Sequence, residues 1–129
     1  MDDTGFPKKG KHSVGVARQY CGQLGKQDNC QVAGSLSIAN VAASSPIAYR
    51  LYLSEIWADD PARRRKAKIP DSVALQTKPA IALDQIRAAQ ADGVAPGVVL
   101  ADAGYGADGA FRTGLSALAS DYVVATDTY

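Results

Sequence analysis

The spacing of apolar residues changes along this chain from every second position to a helical period, and this change constrains the fold more than any other feature. Over residues 13–21 and 29–39, apolar side chains recur at even spacing, which is typical of β-strands. The turn-forming residues 25–29 lie between these segments and predict a β-hairpin. Residues 47–53 repeat the alternation, so the first half is expected to form a three-stranded antiparallel meander.

The second half alternates helical and strand patterns. Residues 79–92 have a helical period, with a proline in the first turn and Gly93 as a C-cap. Residues 97–102 are apolar apart from a polar tip and predict a buried interior strand, because the segment does not alternate. A helix over 107–119 and a strand over 122–126 follow. A strand–helix–strand succession implies parallel pairing, so the predicted order is β-β-β-α-β-α-β in a mixed α/β sheet.

Two polar segments flank the predicted meander. Residues 1–12 are expected to form a loop, and residues 58–77 a charged connection with one helical turn over 62–67. A chain of 129 residues is long enough for one core, so residues 1–129 are predicted to form a single domain.

Composition excludes several classes of protein. Apolar residues make up 47% and charged residues 21% of the chain, which is a globular composition. No apolar run approaches the roughly 20 residues that span a bilayer. The acidic start, Met1-Asp2-Asp3, does not resemble a secretion signal, and two cysteines cannot form a disulfide scaffold. A cytoplasmic protein without a membrane partner is therefore expected.

Positive charge is concentrated in the first half of the chain. Residues 1–68 hold 11 Lys and Arg against 6 Asp and Glu, a net charge of +5, whereas residues 69–129 carry a net charge of −4. This asymmetry is compatible with a polyanionic partner, and an ordinary solvated surface is the alternative that the charge count leaves open. Seven of these eleven residues fall in two clusters, which are Lys8, Lys9, Lys11 with His12, and Arg63, Arg64, Arg65 with Lys66.

Two glycine-rich segments resemble phosphate-binding motifs. Residues 5–11 match the start of a P-loop, but His12 replaces the Ser or Thr that holds magnesium, and the following residues do not favour a helix. Residues 104–109 match G-x-G-x-x-G between a strand and a helix, and Asp127 follows at the distance of a ribose-binding acid. Against this, Asp102 intervenes between strand and motif. A nucleotide-binding domain that uses Gly104, Gly106 and Gly109 remains an alternative.

Acidic residues lie where strand ends are predicted. Asp102 ends the apolar strand, and Asp2-Asp3 open the chain 100 residues earlier. Acids at neighbouring strand ends can share a divalent metal ion through their oxygens. The alternative is that Asp102 is only a turn former or a helix N-cap.

Several ordered segments resemble one family. Residues 2–16, 18–22, 29–33, 57–64 and 100–106 closely resemble, in this order, the DDE-type transposases of bacterial insertion sequences. The resemblance covers almost the whole chain and is more specific than either glycine motif.

The resemblance implies an RNase H-like fold, with an antiparallel meander followed by alternating helices and strands. It also implies a nuclease and strand transferase that acts on phosphodiester bonds of transposon ends and target DNA. Three carboxylates of the intact enzyme hold two Mg²⁺ or Mn²⁺ ions, and the first falls on Asp2, or less readily Asp3, and the second on Asp102. The third, a Glu on a later helix, has no counterpart, because the single Glu of the chain is Glu55. The two basic clusters are implied to approach DNA phosphates.

The resemblance also implies that the chain is incomplete. The central first strand, the C-terminal helix and the third acid have no counterparts, so an inactive internal fragment of the catalytic core is expected. The intact protein could be a homo-oligomer. A DNA-binding remnant without catalysis is the second hypothesis.

Three further residues are expected to be structural. Trp57 is predicted to pack in a core rather than to stack on a base. Cys21 and Cys30 are placed symmetrically about the predicted turn and are expected to face each other as packed thiols rather than as a disulfide.

Overall fold

A computed structural model describes residues 1–95 and 97–126. Strands predominate among the regular elements of the first half and helices among those of the second, as the change in periodicity predicts. The strands are β1 (Asp2–Pro7), β2 (Ala17–Cys21), β3 (Lys26–Ala39), β4 (Ser44–Leu51), β5 (Val99–Ala101) and β6 (Tyr122–Val124). The helices are α1 (Glu55–Ala58), α2 (Pro61–Lys66), α3 (Lys78–Ala91), α4 (Ala103–Gly106) and α5 (Gly109–Ala117).

The antiparallel sheet is organised around the long strand β3. Strands β1 and β2 lie on either side of it, and β4 also pairs with it. In the β2–β3 hairpin Ala17 is opposite Cys30 and Cys21 is opposite Lys26. The hairpin is confirmed, but its turn comes earlier than predicted, because Gly25 adopts a left-handed φ of +67° and donates its N–H to the Cys21 carbonyl at 2.9 Å. Residues 26–29 therefore belong to β3.

The expectation of a loop over residues 1–12 is wrong in part, because β1 occupies Asp2–Pro7. This strand lacks a clear apolar alternation, so its sequence gives little sign of it. Backbone pairing with β3 holds it instead. Near its ends, the Lys8 N–H donates to the Asn29 carbonyl at 3.0 Å and the Ser35 hydroxyl donates to the Asp2 carbonyl at 3.1 Å.

Strands β5 and β6 pair in parallel, with Leu100 opposite Val123. Parallel pairing confirms the strand–helix–strand prediction. The expectation that residues 97–102 form a fully buried strand is wrong, because the side chains of Leu100 and Val123 are 63% and 65% exposed. The alternate residues Val99 and Ala101 pack against the helices, so the described chain covers one face of this sheet.

The chain divides into two compact units, and strands β1, β3 and β4 each contribute residues to both. Unit 1 contains Met1–Asp2, Ser35–Tyr49 and the described residues from Lys78 onward. Helices α3 and α5 confirm the two predicted helices within a few residues, whereas the four-residue helix α4 was not predicted. The buried core of unit 1 comprises Ala82, Ile86, Tyr105, Phe111 and Leu115.

Unit 2 contains Asp3–Gly34 and Arg50–Thr77. Its core joins Trp57, which is 1% exposed, to Val16 and Leu53. The Trp57 indole N–H donates to the Val16 carbonyl at 2.7 Å, so the prediction of a packing residue is confirmed. Helix α2 confirms the predicted helical turn within the charged connection.

Both cysteines are buried free thiols, as expected. Cys21 and Cys30 belong to one small cluster with Val32 in unit 2. The expectation that the thiols face each other across the hairpin is wrong, because the shifted turn pairs each cysteine with another residue.

None of the described helices is long and apolar enough to cross a membrane.

Candidate functional site

The first residue of the chain lies beside strand β5. The amino group of Met1 donates to the Leu100 carbonyl at 2.9 Å, across 99 positions of sequence. Asp2 follows Met1 directly, and Asp102 follows the last residue of β5. One hydrogen bond thus joins the two segments of unit 1 that Asp2 and Asp102 follow.

Packing indicates the face on which these acids lie. Met1 and Ala101 both pack against the core of unit 1. Successive side chains of an extended segment point to opposite faces. Asp2 and Asp102 each follow one of these inward residues, so both point away from the core, and both are exposed. By the same alternation Asp3 points to the face opposite Asp2. Packing thus favours Asp2 over Asp3 as the partner of Asp102.

Asp102 also has a structural role. Its backbone is extended, and its Oδ1 accepts the Gly104 N–H at 3.0 Å as the N-cap of α4. The interpretation of Asp102 as a helix cap is therefore correct. It leaves the metal hypothesis open, because Oδ2 has no hydrogen-bond partner among the described residues and a carboxylate can use its two oxygens separately.

The donor chemistry of Asp2 and Asp102 suits a hard cation. Mg²⁺ prefers oxygen ligands and is commonly held by one or two carboxylates together with waters and substrate phosphates. Among residues 1–95 and 97–126, no group of three or more His, Cys, Asp or Glu side chains is arranged to hold a metal ion. Glu55 begins helix α1 in unit 2. The assignment of Asp2 and Asp102 as metal ligands stays a prediction.

The first basic cluster forms an ordered loop after β1. Lys8, Lys9, Lys11 and His12 are all exposed in unit 2. The side-chain amide of Asn29 donates to the Lys8 and Gly10 carbonyls, each at 2.8 Å. Sequence reasoning did not single out Asn29, and no composition or charge signal would have identified it.

The second basic cluster divides into inward and outward residues. The Arg63 guanidinium lies 3.9 Å from the Trp57 ring centroid and donates to the Lys11 carbonyl at 2.8 Å. Arg64 donates to the carbonyls of Ala58 at 3.3 Å and Pro70 at 3.2 Å, and also to that of Val73. The remaining two residues of the cluster, Arg65 and Lys66, are exposed. The predicted contact of this cluster with DNA stays a prediction. Arg63 and Arg64 bind protein groups, whereas Arg65 and Lys66 are exposed to solvent.

The glycine-rich segments are explained by packing within the chain. Gly5 lies in β1, and the element that follows His12 is a strand, so the P-loop geometry is absent from this described segment. Gly106 lies in α4, where a Cβ would overlap the Ala125 carbonyl oxygen and approach the Val124 Cβ to 2.8 Å. The chain itself therefore fills the space beside Gly106. The predicted ribose-binding acid, Asp127, lies outside the described residues.

Comparison with known proteins identifies the family. The chain is 35% identical over 126 residues to a probable transposase for insertion sequence element IS701 from Microchaete diplosiphon. The match covers 97% of this chain and about 30% of the length of that curated relative. No solved structure matches. The pattern of the DDE superfamily endonucleases matches residues 1–128. The chain therefore belongs to the DDE superfamily of endonucleases, as its motifs predict.

Proposed function

We propose that this chain is part of the catalytic core of a DNA transposase, which cuts and rejoins phosphodiester bonds during transposition. The observation that carries the proposal is the hydrogen bond from Met1 to Leu100, which supports a location of Asp2 near Asp102 in unit 1. Family membership and the similarity to an IS701 transposase support the same reaction class.

In this proposal the fold is RNase H-like. Unit 1 supports it, because parts of the β3–β4 hairpin are followed there by a helix–strand–helix–helix–strand succession. Two hydrogen bonds tie the first residues into this arrangement, from Ser35 to Asp2 and from Met1 to Leu100.

Asp2 and Asp102 would hold Mg²⁺ or Mn²⁺ through carboxylate oxygens. Such an ion, when bound, lowers the pKa of a nucleophilic water and stabilises charge on a phosphoryl group. The protein residues have simpler roles. Asp102 keeps one oxygen on the Gly104 N–H, which fixes its rotamer, and the exposed lysines bind DNA phosphates.

A second candidate function is DNA binding without cleavage. It is favoured by the finding that no three His, Cys, Asp or Glu side chains of the described residues are grouped to hold a metal ion. The basic loop and the exposed half of the second cluster would suffice for binding without sequence preference. The two functions differ in whether the chain nicks DNA when Mg²⁺ or Mn²⁺ is present.

The proposed metal site can be tested by comparing two aspartates that both cap helices, Asp102 and Asp108. Asp108 is the N-cap of α5 and accepts the Phe111 N–H at 2.8 Å, so it resembles Asp102 in structural role. Asparagine is as good an N-cap as aspartate, so neither Asp102→Asn nor Asp108→Asn should unfold the chain. In a Mn²⁺ titration followed by water-proton relaxation, we expect Asp102→Asn to weaken binding about tenfold or more, since a charged ligand is removed.

The control is Asp108→Asn, which is expected to bind Mn²⁺ as the parent does. Equal Mn²⁺ affinity of the parent, Asp102→Asn and Asp108→Asn would refute the assignment of Asp102 as a ligand. Asp2→Asn and Asp3→Asn extend the test, because only the first is expected to weaken binding.

A further inference from the structure

The loop after β1 has its carbonyl oxygens bonded toward the protein. In this loop, residues 8–12, the carbonyls of Lys8 and Gly10 accept the two bonds from Asn29. The carbonyl of Lys11 accepts the bond from Arg63 at 2.8 Å. Three of the electronegative groups that would repel an anion are therefore engaged.

Most backbone N–H groups of the loop, unlike its carbonyl groups, have no hydrogen-bond partner among the described residues. Lys8 donates its N–H to Asn29, but the N–H groups of the next four residues have no acceptor among the described residues. These residues, Lys9, Gly10, Lys11 and His12, are all exposed. Gly10 has a φ of +90°, a conformation that L side chains rarely adopt. Successive N–H groups without acceptors, flanked by ammonium groups, form a surface that suits an anion.

The two clamping side chains are themselves fixed. Asn29 lies in β3, opposite Arg18 of β2. Arg63 is half-buried against the Trp57 ring, and the Trp57 indole is bonded to the Val16 carbonyl. The loop is thus held from a strand on one side and from the core of unit 2 on the other.

We propose that residues 8–12 form a preformed loop that binds phosphodiester groups of duplex DNA, and that Asn29 and Arg63 are its positioning residues. This inference rests on the proposed function, since it takes DNA as the partner. The backbone N–H groups and the lysine ammonium groups contact phosphates. Asn29 and Arg63 act through the loop carbonyls. A preformed loop binds more tightly because its ordering is completed before DNA arrives.

Substitutions that leave the net charge unchanged can distinguish a role in positioning the loop from a direct electrostatic role in DNA binding. Asn29→Ala removes two bonds to the loop without changing charge, and Gln27→Ala is its control, because Gln27 is an exposed amide on the same strand. Arg63→Lys keeps the charge but cannot both stack on the indole and donate in the same geometry. Its control is Arg18→Lys, because Arg18 is exposed on β2 and lies outside both basic clusters. Binding of the 129-residue chain to a fluorescent 30-base-pair duplex is measured by anisotropy over a salt series.

We expect Asn29→Ala and Arg63→Lys to bind about tenfold more weakly, because a mobile loop must be ordered on binding. The slope of log K against log salt should also become shallower, by about 0.9 for each phosphate that the loop no longer neutralises. A role in folding alone would lower the thermal midpoint without changing this slope at a temperature where the chain is folded. Both control variants should match the parent in affinity and slope.

Three outcomes would overturn the inference in different ways. If Asn29→Ala and Arg63→Lys match the parent while a Lys8, Lys9 and Lys11 triple alanine variant binds more weakly, the loop binds DNA but needs no positioning. If the triple variant also matches the parent, the loop does not bind DNA. If the parent itself does not bind duplex DNA at low salt, the proposed function fails.

A variant that removes no hydrogen-bonding side chain covers the case in which Asn29→Ala does not fold. A Cβ at Gly10 would meet nothing within 4 Å, so Gly10→Ala affects only the backbone conformation of the loop. It is expected to weaken DNA binding and flatten the salt slope as Asn29→Ala does. Parent-like binding by folded Gly10→Ala would contradict the need for a preformed loop.

Discussion

Two adjacent arginines of helix α2 should have opposite effects when each is replaced by alanine. Arg64 donates to three carbonyls, of Ala58, Pro70 and Val73, and so joins the start and end of the connection that contains α2. Arg65 is exposed. We expect Arg64→Ala to lower the free energy of unfolding with no direct effect on DNA binding, and Arg65→Ala to do the reverse.

The hydrogen bonds set the size of the stability effect. A hydrogen bond from a charged donor contributes about 1.5–3 kcal/mol, and a neutral one about 0.5–1.5 kcal/mol. The bonds to Pro70 and Val73 are exposed, so water replaces Arg64 there at little cost. The partly buried bond to Ala58 is longer, at 3.3 Å. A total decrease of about 1–2 kcal/mol follows for Arg64→Ala, against about 0.5 kcal/mol or less for Arg65→Ala.

Urea unfolding followed by tryptophan fluorescence measures the difference. Trp57 is the single tryptophan of the chain and is buried in unit 2, so its emission reports on this unit. A change in midpoint without a change in slope would indicate reduced stability. DNA binding is then measured without urea, where Arg65→Ala should reduce the salt slope by about 0.9.

The reasoning would be refuted if Arg64→Ala unfolds at the parent's urea concentration and reduces the salt slope as much as Arg65→Ala does. That result would mean that Arg64 contacts DNA rather than the carbonyls of its own connection. Arg64→Lys provides a control, since it keeps the charge but supplies fewer donors.

Three further outcomes are expected. Gly106→Ala should destabilise the chain by about 1–3 kcal/mol, because the new Cβ overlaps the Ala125 carbonyl, and thermal unfolding measures this. Cys21 and Cys30 should react with a thiol reagent only after denaturation, since both are fully buried, and rapid labelling of the native chain would contradict this. The chain alone should not nick supercoiled plasmid with Mg²⁺ or Mn²⁺, and nicking that Asp102→Ala abolishes would show that two acids suffice.

Elements with a long, regular period could be predicted from the sequence. Helix α3 begins and ends within one residue of its prediction, because its apolar face and terminal Pro and Gly agree with one another. The parallel pairing of β5 and β6 was also predicted, because a strand–helix–strand crossover leaves few alternatives.

Elements held by distant partners could not be predicted. Strand β1 has no apolar alternation and depends on pairing with β3, which a local pattern does not reveal. The burial of β5 was overestimated for a related reason. Its apolar sequence predicts cover on both faces, and the described residues supply cover on one.

The two basic clusters illustrate how charge patterns fail at the level of single residues. A run of four cations indicates affinity for a polyanion, but it does not give the direction of each side chain. On α2, successive residues differ by about 100° around the helix axis, so some must face the protein. Arg63 and Arg64 face Trp57 and backbone carbonyls, which are local acceptors that the sequence does not mark.

The sequence alone did not decide between Asp2 and Asp3, because the choice depends on how their neighbouring residues pack. Adjacent residues on a strand point to opposite faces, so only one of the two can share a face with Asp102. The deciding residues are their apolar neighbours, because Met1 and Ala101 pack on one core. The Met1–Leu100 hydrogen bond, which supports this placement of Asp2, spans 99 positions and has no local signal. If Asp3→Asn weakened Mn²⁺ binding and Asp2→Asn did not, the register argument would be wrong even with the family assignment intact.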